Sequence, residues 1–511
     1  MWTIWWNSDR AQVHFDDYWD APIFYPVEDT FAFSEPQPMT VVVAPVIWLT
    51  GSRVLGYNLY LAISLLLNGL LATRLLRQIS IHRLVAAAGG IFVILLPMIH
   101  LQKDSLQLIP VWGVLWFWST LLKIDRSPTA WRGAELGLAF SVVVFCSIHH
   151  ALFLLILTLG TCWLSASHWT KTSFYRALVI GLLVAGVMSG PFLWRMRTVM
   201  VNHHFLRSIE KVQQLSAVPS DYLKTPGRLM VDPFSIQRRP SWKLGTGTGR
   251  LVLALAGCVL GLIHRKRRRV TLFLFSLSAF AFILSLGMNL QMRDWNLWLW
   301  LSSFPGVSQV RSPFRFSYFV QLGVALLAAL GLHELWILVC RYWWRARTAI
   351  LPRCLLALLA ILVAFESSPR KITLASVPDH NQHQDWIRWL IQNADSKAGA
   401  VCLPMSPGNL VQDFDITVRW MYFGSYHKVP LLNGYSGYFP DEYFDARNQL
   451  NSEFPSLRTL DSLRKKNIRY VIIDHSSDRS PTTSRMNEFN SGVKMEYHSA
   501  TGISIYRIND R

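Results

Sequence analysis

Nine apolar stretches, at about 57–73, 84–99, 107–122, 134–164, 177–194, 250–263, 270–288, 315–337 and 349–365, dominate the 511-residue chain. Crossing a bilayer takes roughly 20 consecutive apolar residues of helix. Inside the bilayer every backbone N–H and C=O must be satisfied within the segment or by a neighbour. A chain punctuated in this way is an integral membrane protein made of helices. With 51% hydrophobic and 16% charged residues it is too apolar for an ordinary soluble enzyme of this length. The same composition excludes disordered, collagen-like and disulfide-scaffold classes.

Fifty Lys and Arg against thirty-one Asp and Glu leave a net charge of +19. In a soluble protein that excess would suggest nucleic acid as a partner. Here the basic residues gather in the connections 74–83, 123–132, 171–176, 264–269 and 341–353. The positive-inside rule places such connections in the cytoplasm. Parity then puts 1–56, the 195–249 loop and everything from 366 onward on the other side. The 134–164 stretch lies between two cytoplasmic connections and must hold an even number of crossings. It is expected to form a hairpin of two short spans or a re-entrant pair, with His149 and His150 at its outer tip. The total is about ten spans. Of the six Cys, Cys146, Cys162, Cys258, Cys340 and Cys354 lie in or beside apolar segments, Cys402 lies in the polar tail, and no disulfide framework or zinc site is encoded.

Beyond residue 370 the composition turns polar, and short strand-like runs appear at 400–403, 470–474 and 503–508, separated by helical patterns at 385–393 and 459–466. The expected fold class is an α-helical polytopic membrane protein with a C-terminal extracytoplasmic α/β domain. Its segments are an acidic and aromatic first loop (1–56), helices (57–194), an outer loop (195–249), helices (250–365) and the α/β domain (366–511).

The first loop holds seven carboxylates among aromatic residues, Asp9, Asp20, Asp29 and Glu35 among them. Group transfer to a hydroxyl needs a base, and a phosphate-bearing donor often needs a divalent cation on oxygen ligands. Carboxylates serve both needs, although a solvated acidic loop would have the same composition. His100 and Gln102 follow the second stretch and can orient a sugar hydroxyl or a carboxylate; a helix-end histidine can equally be structural. Arg311 and Arg315 flank Ser312 and Pro313, which have the character of an N-cap and first helical residue. Two guanidinium groups beside a helix N-terminus call for an anion, such as a lipid phosphate, unless they only reach for lipid headgroups. Gly245–Arg250 lacks the Lys-Ser/Thr ending of a phosphate loop and is expected to be a flexible lead-in to the next span. Asn433–Pro440 suits either sugar stacking or a packed turn.

Taken in order, Thr3-Ile4-Trp5-Trp6, Ala21-Pro22-Ile23-Phe24-Tyr25-Pro26, Phe33-Ser34-Glu35, Tyr57-Asn58, His100-Leu101-Gln102, Phe304-Pro305-Gly306, Arg311 to Phe316 and Asn433 to Gly437 resemble the bacterial polytopic glycosyltransferases of the GT-C superfamily. The resemblance implies a GT-C-like fold in the bacterial cell membrane, an active site on the outer face, a first outer loop with the catalytic acid, and a sugar donor carried on a polyprenyl phosphate. Glu35, Asp20 and Asp9 become candidates for the catalytic carboxylates and Asp29 for a metal ligand, the metal being magnesium or manganese. Arg311, Arg315, His100 and Gln102 become candidates for holding the donor. The acceptor would be a glycan, lipid or protein, and nucleic acid is not a partner. Relatives carry a helix and an acidic residue ahead of the stretch matching Thr3–Trp6, so upstream codons are expected to encode both. A transporter or flippase of lipid-linked sugars would instead show inverted repeats and ionisable residues at the midplane. A non-catalytic envelope protein would leave the acidic loop dispensable.

Overall fold

A computed structural model of the chain describes residues 1–161, 171–205, 207–225, 242–265, 267–292, 295–304, 306–343, 350–369, 374–395, 397–475, 485 and 492–509. Cys162, Pro305 and, within the 195–249 loop, residues 206 and 226–241 lie outside the described residues. The chain divides into two compact units. One comprises Met1–Leu59, Trp194–His204 and Leu374–Arg511; the other comprises Tyr60–Leu193 and Phe205–Thr373.

The second unit is helical. Among the described residues of the whole chain six stretches are long and apolar enough to cross a bilayer: Arg53–Gln78, Arg83–Leu101, Leu106–Arg126, Thr172–Asn202, Arg268–Ser285 and Pro313–Arg341. Four further apolar helices, Ala130–Cys146, Ile148–Thr161, Thr248–Ile263 and Ile350–Glu366, are 14 to 17 residues long. The 134–164 stretch is two helices joined through the extended Ser147, with His149 and His150 at the start of the second. The Ser317–Trp343 helix is buried along most of its length and packs closely on Thr248–Ile263. A Cβ at Gly257 would collide with the Leu327 carbonyl oxygen and one at Gly331 with that of Leu253, so small residues set this close crossing.

Polar side chains in the spans repair broken backbone. The fully buried Asn68 accepts from the Val111 N–H at 2.9 Å and donates to the Ile109 carbonyl at 2.9 Å, bridging the interruption at Pro110. Gln321 likewise accepts from Met98 N–H and donates to the Leu244 carbonyl, both at 2.9 Å. The Gly245–Arg250 segment is anchored rather than flexible. Glu366 accepts from the N–H groups of Thr248 at 2.6 Å and Gly249 at 2.9 Å, satisfying donors that a helix N-terminus leaves open.

The first unit joins the acidic loop to the tail. A four-stranded sheet runs in the order Gly399–Leu403, Ile468–Asp474, Ile503–Ile508, Val493–His498, with the first pair parallel and the others antiparallel. Three of these strands match the apolar runs in the sequence. The fourth, Val493–His498, is an edge strand with Lys494, Met495 and His498 exposed and lacks a buried face to announce it. Helices Gln384–Asn393 and Asp415–His427 cover the sheet, and Trp386, Phe423, Tyr470, Ile472 and Ile505 form its core.

Candidate active site

The Trp2–Gln12 helix is buried on all faces from Ile4 to Asp9, and Asn7 organises the acidic loop from there. Its side-chain amide, fully buried, donates to the carbonyls of Pro36 at 2.8 Å and Gln37 at 3.1 Å and to the Thr40 hydroxyl at 2.9 Å. Its oxygen accepts from the Tyr18 hydroxyl at 2.8 Å. A buried amide with all these bonds made is an expensive group to disturb.

Glu35 lies next to that anchor and is half-buried. On its other side the Phe33 carbonyl accepts from the Tyr438 N–H at 3.0 Å. The same pairing continues upstream: Tyr25 N–H donates to the Leu431 carbonyl at 2.9 Å, and Leu431 N–H to the Pro22 carbonyl at 3.2 Å. Phe24 packs edge-on against Phe439 and Tyr443, with ring centroids 5.6 and 5.1 Å away. At Gly434 a Cβ would stand 2.5 Å from the Phe24 ring, and at Gly437 2.8 Å from the Phe33 carbonyl oxygen. The 433–440 loop is therefore a packed turn whose glycines admit the first loop. Asn433 ties it to the sheet by accepting from Cys402 N–H at 2.7 Å and donating to the Cys402 carbonyl at 2.9 Å.

The other carboxylates sit in two groups. Asp9 is buried and paired with Lys428 at 2.6 Å and Arg10 at 2.6 Å. Burial pushes its carboxyl upward, but hydrogen bonds from Lys428 and Arg10 and their charges outweigh that and hold it below the ordinary carboxylate value. Asp20 is exposed and accepts from the Asp29 N–H at 2.7 Å. Asp29, half-buried in a left-handed backbone conformation at φ 58°, pairs with Arg195 at 2.5 Å. The structure thus brings Asp20 and Asp29 together and places Asp9 in its own ion pair. Among the described residues no three His, Cys, Asp or Glu side chains converge as a metal-ligating group. Asp29, engaged by the Arg195 guanidinium, does not form a cation site as it stands.

The proposed donor residues lie in the helical unit. Pro313 opens a 3-10 turn, Pro313–Phe316, ahead of the long helix, and the Ser312 side chain makes no capping hydrogen bond. Arg315 is 8% exposed in that turn, with its Nη1 3.5 Å from His149 Nε2, while Arg311 is half-buried. Two separately notable sequence features, the arginine motif and the histidine pair, are thereby neighbours. His100 Nε2 lies 3.2 Å from the Ile94 carbonyl, and the Gln102 backbone closes the same turn through Met98. Lys428, Arg195 and Asn7 carry no local sign of their roles, because each acts on a residue far away in the chain.

No family model and no curated protein matches the chain in sequence. In fold it is similar to the arabinofuranosyltransferase AftD from Mycobacteria, with a TM-score of 0.57 and 12% identity over 92% of this chain and 36% of that one. It is also similar to the archaeal oligosaccharyltransferase AglB from Archaeoglobus fulgidus, solved with an inhibitory peptide and a dolichol-phosphate. There the TM-score is 0.55 and the identity 12%, over 100% of this chain and 70% of that one. The chain spans about a third of the length of AftD. These are membrane glycosyltransferases of the GT-C type, and the chain has their polytopic helical fold.

Proposed function

We propose that the protein is an inverting membrane glycosyltransferase. It moves a sugar from a polyprenyl-phosphate donor to a glycan, lipid or protein acceptor of the cell envelope, on the outer face of a bacterial cell membrane. Glu35 accepts the proton of the acceptor hydroxyl as its oxygen forms a bond to the anomeric carbon. The bond from that carbon to the phosphate oxygen breaks, and the electron pair leaves with the lipid phosphate. Arg311 and Arg315 neutralise the leaving phosphate, a task for which a guanidinium fork suits phosphate oxygens better than an ammonium. Asp9 and Asp20 act as supporting carboxylates, and His100 and Gln102 orient the donor. Asp29 is the residue proposed for a divalent cation, which would have to displace Arg195.

One observation carries this reading: Glu35 is held from two sides, by Asn7 on the Pro36 carbonyl and by Tyr438 on the Phe33 carbonyl. A solvated acidic loop has no reason to fix the backbone on both sides of one carboxylate, whereas general-base catalysis depends on position. The likeness to AftD and AglB supports the reaction class, and the dolichol-phosphate bound to AglB supports a lipid-phosphate donor. The test is transfer by the purified chain from polyprenyl-phosphate sugars to envelope extracts, with Glu35→Gln as control. Equal transfer by a folded Glu35→Gln protein would refute the assignment.

A further inference from the structure

The helical unit contains an apolar groove of about 1060 Å³, walled by helices Arg83–Ile94 and Ile350–Glu366 and floored by Leu332 and Trp336. It follows the first of these helices from Arg83 to Leu95, about 18 Å at 1.5 Å per residue. Its walls are Leu84, Ala88, Ile91, Ala357 and similar side chains. One end differs in kind. His82 stacks on Trp336 with ring centroids 4.7 Å apart, and Arg83 and Arg353 complete that end of the lining. Burial and then the charges of Arg83, Arg77 and Arg353 push His82 below its ordinary value, so three guanidinium groups act on one imidazole. All three arginines are exposed, and among the described residues none has a carboxylate partner.

Arg83 and Arg353, without a carboxylate partner among the described residues, stand at one end of an apolar groove of this length, and cation and apolar wall together match the two ends of a lipid. We propose that the groove holds one anionic glycerophospholipid, with its phosphate between Arg83 and Arg353 and its acyl chains along Ala88, Ile91 and Ala357. Charge decides the occupant. A zwitterionic lipid would bring its own cation to a site that already has two, and a neutral chain would leave both arginines unanswered. Neither Arg311 nor Arg315 belongs to the lining, and the inference does not depend on the reaction.

The test is native mass spectrometry of the full chain offered equal amounts of phosphatidylglycerol and phosphatidylcholine. Each arginine near the headgroup is expected to contribute about a fivefold preference for the anionic lipid. Arg83→Gln with Arg353→Gln should remove most of the preference while leaving a lipid bound. Ala88→Phe, which fills the groove, should lower retention of both lipids. Equal retention of the two lipids by the unmodified protein would overturn the proposal. So would an unchanged preference in the double variant, or displacement of phosphatidylglycerol by an equal amount of polyprenyl phosphate.

Discussion

Lys428 Nζ lies 2.6 Å from Asp9 Oδ1 and brings a cation from the end of the Asp415–His427 helix to a carboxylate in the Trp2–Gln12 helix. Asp9 is 5% exposed at its side chain, whereas Lys428 is 58% exposed. The carboxylate thus bears most of the desolvation and depends on its partners. Lys428→Met should lower stability by roughly 1–2 kcal/mol, less than for a fully buried pair because the ammonium is so exposed. The folded-state value of Asp9 lies below its unfolded one, so its stabilising contribution is complete above the ordinary carboxylate value and disappears as the pH falls through the folded-state value. Melting curves in acid should show a smaller loss for the Asp9→Asn protein than for the unmodified one.

Asn7→Ala should cost about 3 kcal/mol or more, because it leaves several buried polar groups without their shared partner. In protein that still folds, turnover should fall further than acceptor binding, since the change releases the backbone beside Glu35. Thermal melts and a kcat-against-KM comparison measure the two effects.

Glu35→Gln keeps the size and hydrogen-bonding capacity of the side chain and removes its charge. Transfer should fall about 100-fold or more with an unchanged melting temperature. The measurement is single-turnover transfer from the lipid-linked donor.

Arg315→Lys preserves charge and loses the guanidinium fork, so the apparent donor KM should rise by about tenfold, as expected for one lost charge-assisted hydrogen bond. Titration of donor against the variant checks this. A donor affinity equal to that of the unmodified protein would leave Arg315 a headgroup contact.

A periplasmic reporter fused after Arg511 should be active, because the positive-inside rule assigns the strongly basic connections to the cytoplasm and parity then assigns the tail to the other side. Activity of a cytoplasmic reporter at the same junction would reverse the topology.

Apolar length and basic punctuation made the helical unit legible, down to the break that produces helices Ala130–Cys146 and Ile148–Thr161. Strands with a buried face were legible too, while Val493–His498 was not, because an edge strand alternates weakly. Glu35, Asn433 and Gly437 could be picked out as fragments. Their packing could not, since Tyr438 and Phe33 are joined only by tertiary structure. The ion pairs of Asp9 and Asp29 were invisible for the same reason: Lys428 sits in an ordinary polar stretch and Arg195 looks like an interfacial cation.

The hydrogen bonds from Tyr25 to Leu431 and from Tyr438 to Phe33 join positions about four hundred residues apart. During synthesis the acidic loop therefore waits, without its partners, while every apolar helix is made. Glu35 reaches its final setting only after the 431–438 segment has emerged and folded on its sheet. A ribosome that stalls before that point leaves a membrane-inserted product whose acidic loop still lacks its hydrogen bonds to the tail.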